Sequence, residues 1–230
     1  MAVRRGRLLA MSDIHGEHKA MQLVLAQAGY VPEADRLILL GDYIDRGPAA
    51  SAVVTEIRRL VLAGAVALRG NHEQMMIDAM DTDEYELWEI NGGRTTRASY
   101  TSAAKMRSDA EFLNTLPLYY ESDGKIFIHA GLRPGVPVEE QDANSLLWSR
   151  PRDFDEYEGK TLVVGHTPTQ TIVSKEWQAP LCRGNVIFID TGMGYNRRLT
   201  LLDLTQSVYW QACAQDIPAG PWPQKLKTLP

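Results

Sequence analysis

Residues 37–47 read Leu-Ile-Leu-Leu-Gly-Asp-Tyr-Ile-Asp-Arg-Gly, an apolar run that breaks at a glycine into a turn carrying two carboxylates and a guanidinium. A short apolar run bounded by glycine and polar residues has the length and the flanks of a strand. Runs of the same kind recur at 8–11, 65–68, 126–128, 162–164, 186–189 and 199–202. Segments of helical period separate the first three. Met21, Val24, Leu25 and Ala28 share one face that Gly29 closes; Val53, Val54, Ile57, Leu60 and Val61 share another, with Pro48 at its start and Gly64 at its end. The chain therefore opens as strand, helix, strand, helix, strand, which is α/β wiring.

Open α/β sheets build their sites just past the C-terminal ends of strands. The run at 8–11 leads to Asp13-Ile14-His15, the run at 37–40 to Asp42, and the run at 65–68 to Asn71-His72; the runs at 126–128 and 162–164 lead to His129 and His166. Asp13, Asp42 and Asn71 recur at a spacing of 29 residues (13 to 42, 42 to 71), the length of a strand-helix repeat. Three successive strand ends would bring them to one edge of a sheet, together with four of the five histidines. Carboxylate, amide oxygen and imidazole without thiolate suit hard-to-borderline divalent cations such as Mn, Fe or Zn. Six such residues exceed what one tetrahedral site needs and suit two cations sharing a carboxylate. A two-metal site, with its ions roughly 3.5–4 Å apart, clamps the attacking and leaving oxygens of a displacement. Asp42, from the middle strand of the three, is the natural bridge.

The whole chain bounds the reading. At 230 residues and 44% hydrophobic composition it suits one domain, 1–230, with the motifs in 7–204. A formal charge of -5 with scattered Lys and Arg gives no footprint for nucleic acid, so none is expected as partner. The apolar stretch 8–12 is too short for a signal-peptide core, and no run approaches a membrane span. Two cysteines, Cys182 and Cys213, form no ligand-spaced pair and suit a reducing cytoplasm. Residues 74–120, with Trp88, Asn91-Gly92-Gly93, Arg94, Arg97 and the run FLNTLPLYY, read as helices and loops near the mouth of the site, where substrate choice is made. The tail from Ala214, rich in proline, is expected to be extended and weakly ordered. His18 reads as first-turn helix surface, and Asp190 as a strand-end turn with Thr191-Gly192.

In order, SDIHGE (12–17), GDYIDRG (41–47), GNHE (70–73), HAG (129–131) and GHT (165–167) resemble the signature set of the calcineurin-like metallophosphoesterases. The likeness is to the serine/threonine phosphoprotein phosphatase branch, of which the compact lambda phage phosphatase and its bacterial relatives are similar in length. It implies two packed mixed β-sheets flanked by helices, with a dinuclear metal site at strand C-terminal ends. It further implies that Asp13 and His15 bind the first metal, that Asp42 bridges, and that Asn71, His129 and His166 bind the second, with Mn2+ as the expected cation and Fe or Zn as alternatives. His72 resembles the general acid, with Asp45 as its hydrogen-bond partner, and Arg46 a phosphate-binding arginine. LLWSR (146–150) looks like the segment carrying a second one, Arg150, with Arg152 as the nearby competitor.

The reaction so implied is attack of metal-bound hydroxide on phosphorus, without a covalent phosphoenzyme, on phosphoserine or phosphothreonine and also phosphotyrosine of a protein or peptide. The alternative is hydrolysis of diadenosine tetraphosphate or a related nucleotide. Enzymes of the symmetrical branch of that activity tend to carry alanine at the place of Asp45. A non-catalytic scaffold would be expected to have lost a ligand or His72. A cytoplasmic monomer is the expected state.

Overall fold

The computed structural model describes residues 6–155, 157–213 and 223–229. Residues 1–5 and the stretch of the proline-rich tail from Ala214 to Trp222 lie outside the described residues.

The expected strands form and sort into two sheets of six. One contains, edge to edge, Gln224–Lys225 (β11), Val208–Ala212 (β10), Leu199–Asp203 (β9), Leu8–Met11 (β1), Arg36–Leu39 (β2) and Val66–Ala67 (β3). β1, β2 and β3 run parallel, and β9 returns antiparallel to β1. The other contains Lys227–Leu229 (β12), Leu181–Arg183 (β7), Val186–Phe188 (β8), Thr161–Val164 (β6), Lys125–Ile128 (β5) and Tyr119–Ser122 (β4). Its centre, β5, β6 and β8, is again parallel.

Two-residue alternation explains why these runs are apolar throughout. In β1, Leu9 and Met11 face helices His18–Gln27 (α1) and Ala50–Leu62 (α2), while Leu8 and Ala10 join Ile38, Leu40, Phe127, Val163 and Ile187 between the sheets. Ile128, Val164 and Phe188 fill a third core on the far side of the second sheet. Strands buried on both faces cannot alternate apolar with polar. α1 turns Met21, Val24 and Leu25 inward, and α2 turns Val53, Val54, Ile57 and Leu60, the faces read from the sequence. α2 starts at Ala50 rather than at Pro48, which lies in the turn before it.

Five strands were not foreseen: β4, β7, β10, β11 and β12. β4 is a half-exposed edge strand, β10 carries a polar Gln211 that is buried and bonded to Thr200 Oγ1, and the others span only two or three residues. The end of the tail, expected to be weakly ordered, is extended and paired: β11 joins β10 and β12 joins β7. Their backbone groups find partners on sheet edges, which local sequence does not announce. Residues 74–118 fold, as read, into helices and loops, and Tyr119 and Tyr120 instead open β4: Asn71–Thr82 (α3), Glu86–Trp88 (α4), a wide turn through Glu89–Gly93, Arg94–Ser99 (α5) and Ala103–Asn114 (α6) precede it. Among the described residues no helix is long and apolar enough to cross a membrane.

Candidate metal centre and active site

The loops leaving β1, β2, β3, β5 and β6 converge. Asp13 N donates to Gly41 O (3.1 Å), His15 N to Asp42 O (2.9 Å), and Gly165 N to His129 O (2.8 Å). The sheets are tied by His166 N donating to Asp13 Oδ2 at 3.0 Å. These loops hold a strained backbone: Asp13, His15, Asp42, Asp45, Arg46 and His166 all have φ between 46 and 70°. Each such residue costs on the order of 1–3 kcal/mol, and strain of this kind gathers at functional sites. Glycine allows the closest approach. A Cβ on Gly41, at φ +95°, would lie 2.5 Å from Gly70 N, and one on Gly70 would lie 2.3 Å from Asp42 Oδ1.

Glu73 holds the GDYIDRG turn in place, a role the sequence reading did not assign. Its buried carboxylate accepts backbone N–H bonds from Asp42 (2.8 Å) and Gly70 (2.9 Å) on Oε2 and from Tyr43 (2.8 Å) and Ile44 (3.3 Å) on Oε1. Burial pushes its pKa up to about 7, against the pull of these donors. The signal was present, because Glu73 stands in GNHE at the third position of α3, where a carboxylate reaches back to the cap.

All six expected ligands are buried and brought together. His15, Asp42 and His72 offer one close set of donor atoms, and Asp42, His129 and His166 a second; within each set the atoms lie within 4.8 Å of one another. Asp42 belongs to both. Its Oδ2 is 3.7 Å from His15 Nε2, and its Oδ1 is 3.4 Å from His129 Nε2. Asp13 Oδ1 lies 4.0 Å from His15 Nε2, while its Oδ2 is hydrogen-bonded by Ser12 and His166 N. Asn71 Oδ1 lies 2.8 Å from His129 Nε2.

These groups fit divalent cations on their own chemistry. His129 gives its Nδ1–H to Leu40 O at 2.7 Å, so Nε2 turns a lone pair toward two acceptor oxygens, those of Asn71 and Asp42. Burial holds this imidazole below its ordinary pKa, so a proton is disfavoured there and a cation resolves the conflict. His15 likewise gives Nδ1–H to Ile44 O (3.0 Å) and turns Nε2 inward. Burial, then the charges of His72 and Arg46, hold His15 well below its usual range, and burial does the same to His166, whose Nε2 has no hydrogen-bond partner among the described residues. Burial, then Asp13 and Glu73, raise Asp42 well above the carboxylate range. Neutral imidazoles around a carboxylate that resists ionisation make a dry, electron-rich cage that a divalent ion stabilises.

His72 sits at the edge of this cage. Its Nδ1 bonds Asp45 Oδ2 at 2.6 Å and its Nε2 accepts from Arg46 Nη2 at 2.9 Å. Asp45 is more than a turn-former: it is fully buried, and burial, against the Thr96 and Trp88 hydrogen bonds, lifts its pKa to about 7. The Arg46 fork also reaches His15 Nε2 (3.0 Å) and lies 4.8 Å over the ring of Tyr195, an exposed aromatic the sequence reading passed over. His15 Nε2 has one lone pair, so a cation there and this hydrogen bond exclude one another.

Arg150, just past helix Ala143–Trp148 (α7), is exposed and turns Nη1 to Thr167 Oγ1 (3.4 Å), beside His166; Arg152 is exposed and pairs with Asp153 at 3.7 Å. Asp190 is the turn residue expected, accepting from Gly192 N at 2.8 Å. His18 opens α1 outside the cluster, and both cysteines are half-buried.

Two mixed sheets whose parallel strands deliver a shared carboxylate to two nitrogen-rich donor sets define the class of dinuclear metal-dependent phosphoester hydrolases. The chain belongs to the calcineurin-like phosphoesterase family, whose pattern matches residues 6–193. It is 30% identical to serine/threonine-protein phosphatase 1 of Salmonella typhimurium, over 83% of this chain and 88% of that one. It is 31% identical to the symmetrical bis(5'-nucleosyl)-tetraphosphatase of Aromatoleum aromaticum, over 57% of this chain and 46% of the other. The fold superposes on a serine/threonine phosphatase of Saccharomyces cerevisiae with a TM-score of 0.68 at 15% identity, covering 94% and 82% of the two chains.

Proposed function

We propose that the protein is a serine/threonine protein phosphatase with activity on phosphotyrosine as well, loaded with two Mn2+ ions. The observation that carries this reading is the 2.6 Å bond from His72 Nδ1 to Asp45 beside a carboxylate shared by two donor sets. A serine alkoxide is a strongly basic leaving group, and a paired histidine is the device for protonating it. The likeness to the Salmonella phosphatase supports the same reading, since it extends over most of both chains.

In this reading Asp13, His15 and Asp42 hold one cation and Asp42, Asn71, His129 and His166 the other. When bound, such cations acidify a water toward neutral pH and neutralise phosphate charge. Arg46 and Arg150 bind the equatorial oxygens of the phosphoryl group. To act, His72 takes a proton on Nε2 in place of the hydrogen bond from Arg46, and as the imidazolium gives that proton to the departing oxygen as the P–O bond breaks. Asp45 accepts Nδ1–H and stabilises the imidazolium.

A second reading, dinucleotide tetraphosphate hydrolysis, is favoured by the similarity to the symmetrical tetraphosphatase over just over half of this chain. Manganese-loaded enzyme assayed at equal concentrations of phosphoserine peptide, phosphotyrosine peptide and diadenosine tetraphosphate separates the two. Faster turnover of the phosphoserine peptide is expected; preference for the dinucleotide would replace the first reading with the second.

A further inference from the structure

Three side-chain donors hold the Asp45 carboxylate, and two of them come from the α4–α5 segment. Trp88 Nε1–H points between both oxygens, 2.9 Å from Oδ1 and 3.0 Å from Oδ2. Thr96 Oγ1 donates to Oδ1 at 2.6 Å and accepts from Asp45 N at 2.8 Å. His72 Nδ1 takes Oδ2. Trp88 is 1% exposed and Asp45 and Thr96 are fully buried, so no water competes for these oxygens.

The segment is shaped to reach this carboxylate. A Cβ on Gly93 would stand 2.6 Å from the Trp88 indole, and one on Gly92, at φ +114°, would stand 2.9 Å from Arg46 Cγ and 3.3 Å from Asp45 Cβ. The Asn91-Gly92-Gly93 turn therefore lets two indole-and-hydroxyl donors close over Asp45 while the indole ring is wedged in one orientation. A carboxylate on one Cβ–Cγ bond rotates freely unless both oxygens are held. Here Thr96 takes Oδ1 and Trp88 spans both oxygens, which leaves the second lone pair of Oδ2 to the imidazole.

We infer that Trp88 and Thr96 are positioning residues for proton delivery: they clamp the Asp45 carboxylate so that it grips His72 Nδ1–H and aims Nε2 at the leaving oxygen. The inference rests on His72 as the general acid. In the step His72 is the imidazolium: its Nε2 proton, which takes the place of the hydrogen bond from Arg46, passes to the ester oxygen as its bond to phosphorus breaks. The proton released by the attacking water restores the imidazolium, and Asp45 accepts Nδ1–H throughout. The clamp makes no contact with substrate, so its loss acts through the orientation of the acid alone.

The test uses metal-loaded full-length protein and two small substrates, phenyl phosphate and nitrophenyl phosphate, whose leaving groups differ in basicity. Neither depends on the natural substrate. Trp88→Phe and Thr96→Val should each lower kcat on phenyl phosphate roughly tenfold more than on nitrophenyl phosphate, a fraction of the general-acid effect. KM and metal content should hold, and Thr96→Ser, which keeps the hydroxyl, should restore the wild-type ratio. In histidine-labelled protein, the low-field Nδ1 proton resonance of His72 should shift in Thr96→Val and return in Thr96→Ser. His72→Asn serves as the reference. If it shows the leaving-group bias while Trp88→Phe and Thr96→Val lose equally on both substrates, the two residues merely pack and the clamp is refuted. A His72→Asn variant without bias refutes the acid and the clamp together.

Discussion

Glu73→Gln changes one atom and should unlock the turn that carries Asp42, Asp45 and Arg46. Each carboxylate oxygen accepts two backbone N–H groups, Asp42 and Gly70 on one, Tyr43 and Ile44 on the other. An amide has one acceptor oxygen, so whichever way it turns, two buried N–H groups face an NH2. Each buried donor left unsatisfied costs about 1–3 kcal/mol, which sets the loss at about 2–6 kcal/mol. For a chain of this size that lowers the melting temperature on the order of 5–20 °C. The strained φ values at Asp42, Asp45 and Arg46 lose their restraint at the same time, so the shared carboxylate should be displaced. Scanning calorimetry of wild type and variant gives the first quantity, and metal analysis of the purified variant should show less bound cation. A melting temperature equal to wild type, with full metal content, would refute the assignment of Glu73 as the brace of the turn.

Asp42→Asn should cost more bound metal than His15→Ala, because Asp42 belongs to both donor sets; two fully occupied ions in Asp42→Asn, by metal analysis, would remove it as the bridge. Arg150→Ala should raise KM and lower kcat on nitrophenyl phosphate and weaken inhibition by free phosphate, while Arg152→Ala, exposed and paired with Asp153, should leave all three unchanged. Gly92→Ala should destabilise the fold by on the order of 1–3 kcal/mol and raise KM, since the new Cβ enters the space of Arg46 at a backbone angle alanine disfavours; an unchanged urea midpoint would count against that packing.

Much of the site was legible because its chemistry is local to strand ends. An apolar run followed within a few residues by Asp, His or Asn announces both a buried strand and the residue it delivers, as with Leu37–Leu40 and Asp42. Five such runs, three in one sheet and two in the other, bring the six expected ligand residues into one cluster, including Asn71 and His166, which lie ninety-five residues apart in number (166 less 71) and meet around His129. The two-sheet arrangement came from family resemblance and not from periodicity, because each run is apolar on both faces and so is silent about which neighbour it pairs with.

Tertiary structure alone decided the surroundings of those residues. Glu73 and Trp88 carry only an ordinary local mark: a carboxylate in a helix's first turn reads as a cap, and a tryptophan amid charged residues reads as packing. Their roles arise only when a chain segment twenty-nine and more residues distant is brought within about 3 Å, the reach of a hydrogen bond. The same holds for the edge strands β11 and β12, whose partners are other strands rather than their own sequence. Residue types and strand ends, which determine what can bind a cation or a proton, are written along the chain. The orientation of each group is set by contacts between segments far apart in it, because hydrogen bonds and steric closeness act through space and leave no period in the sequence.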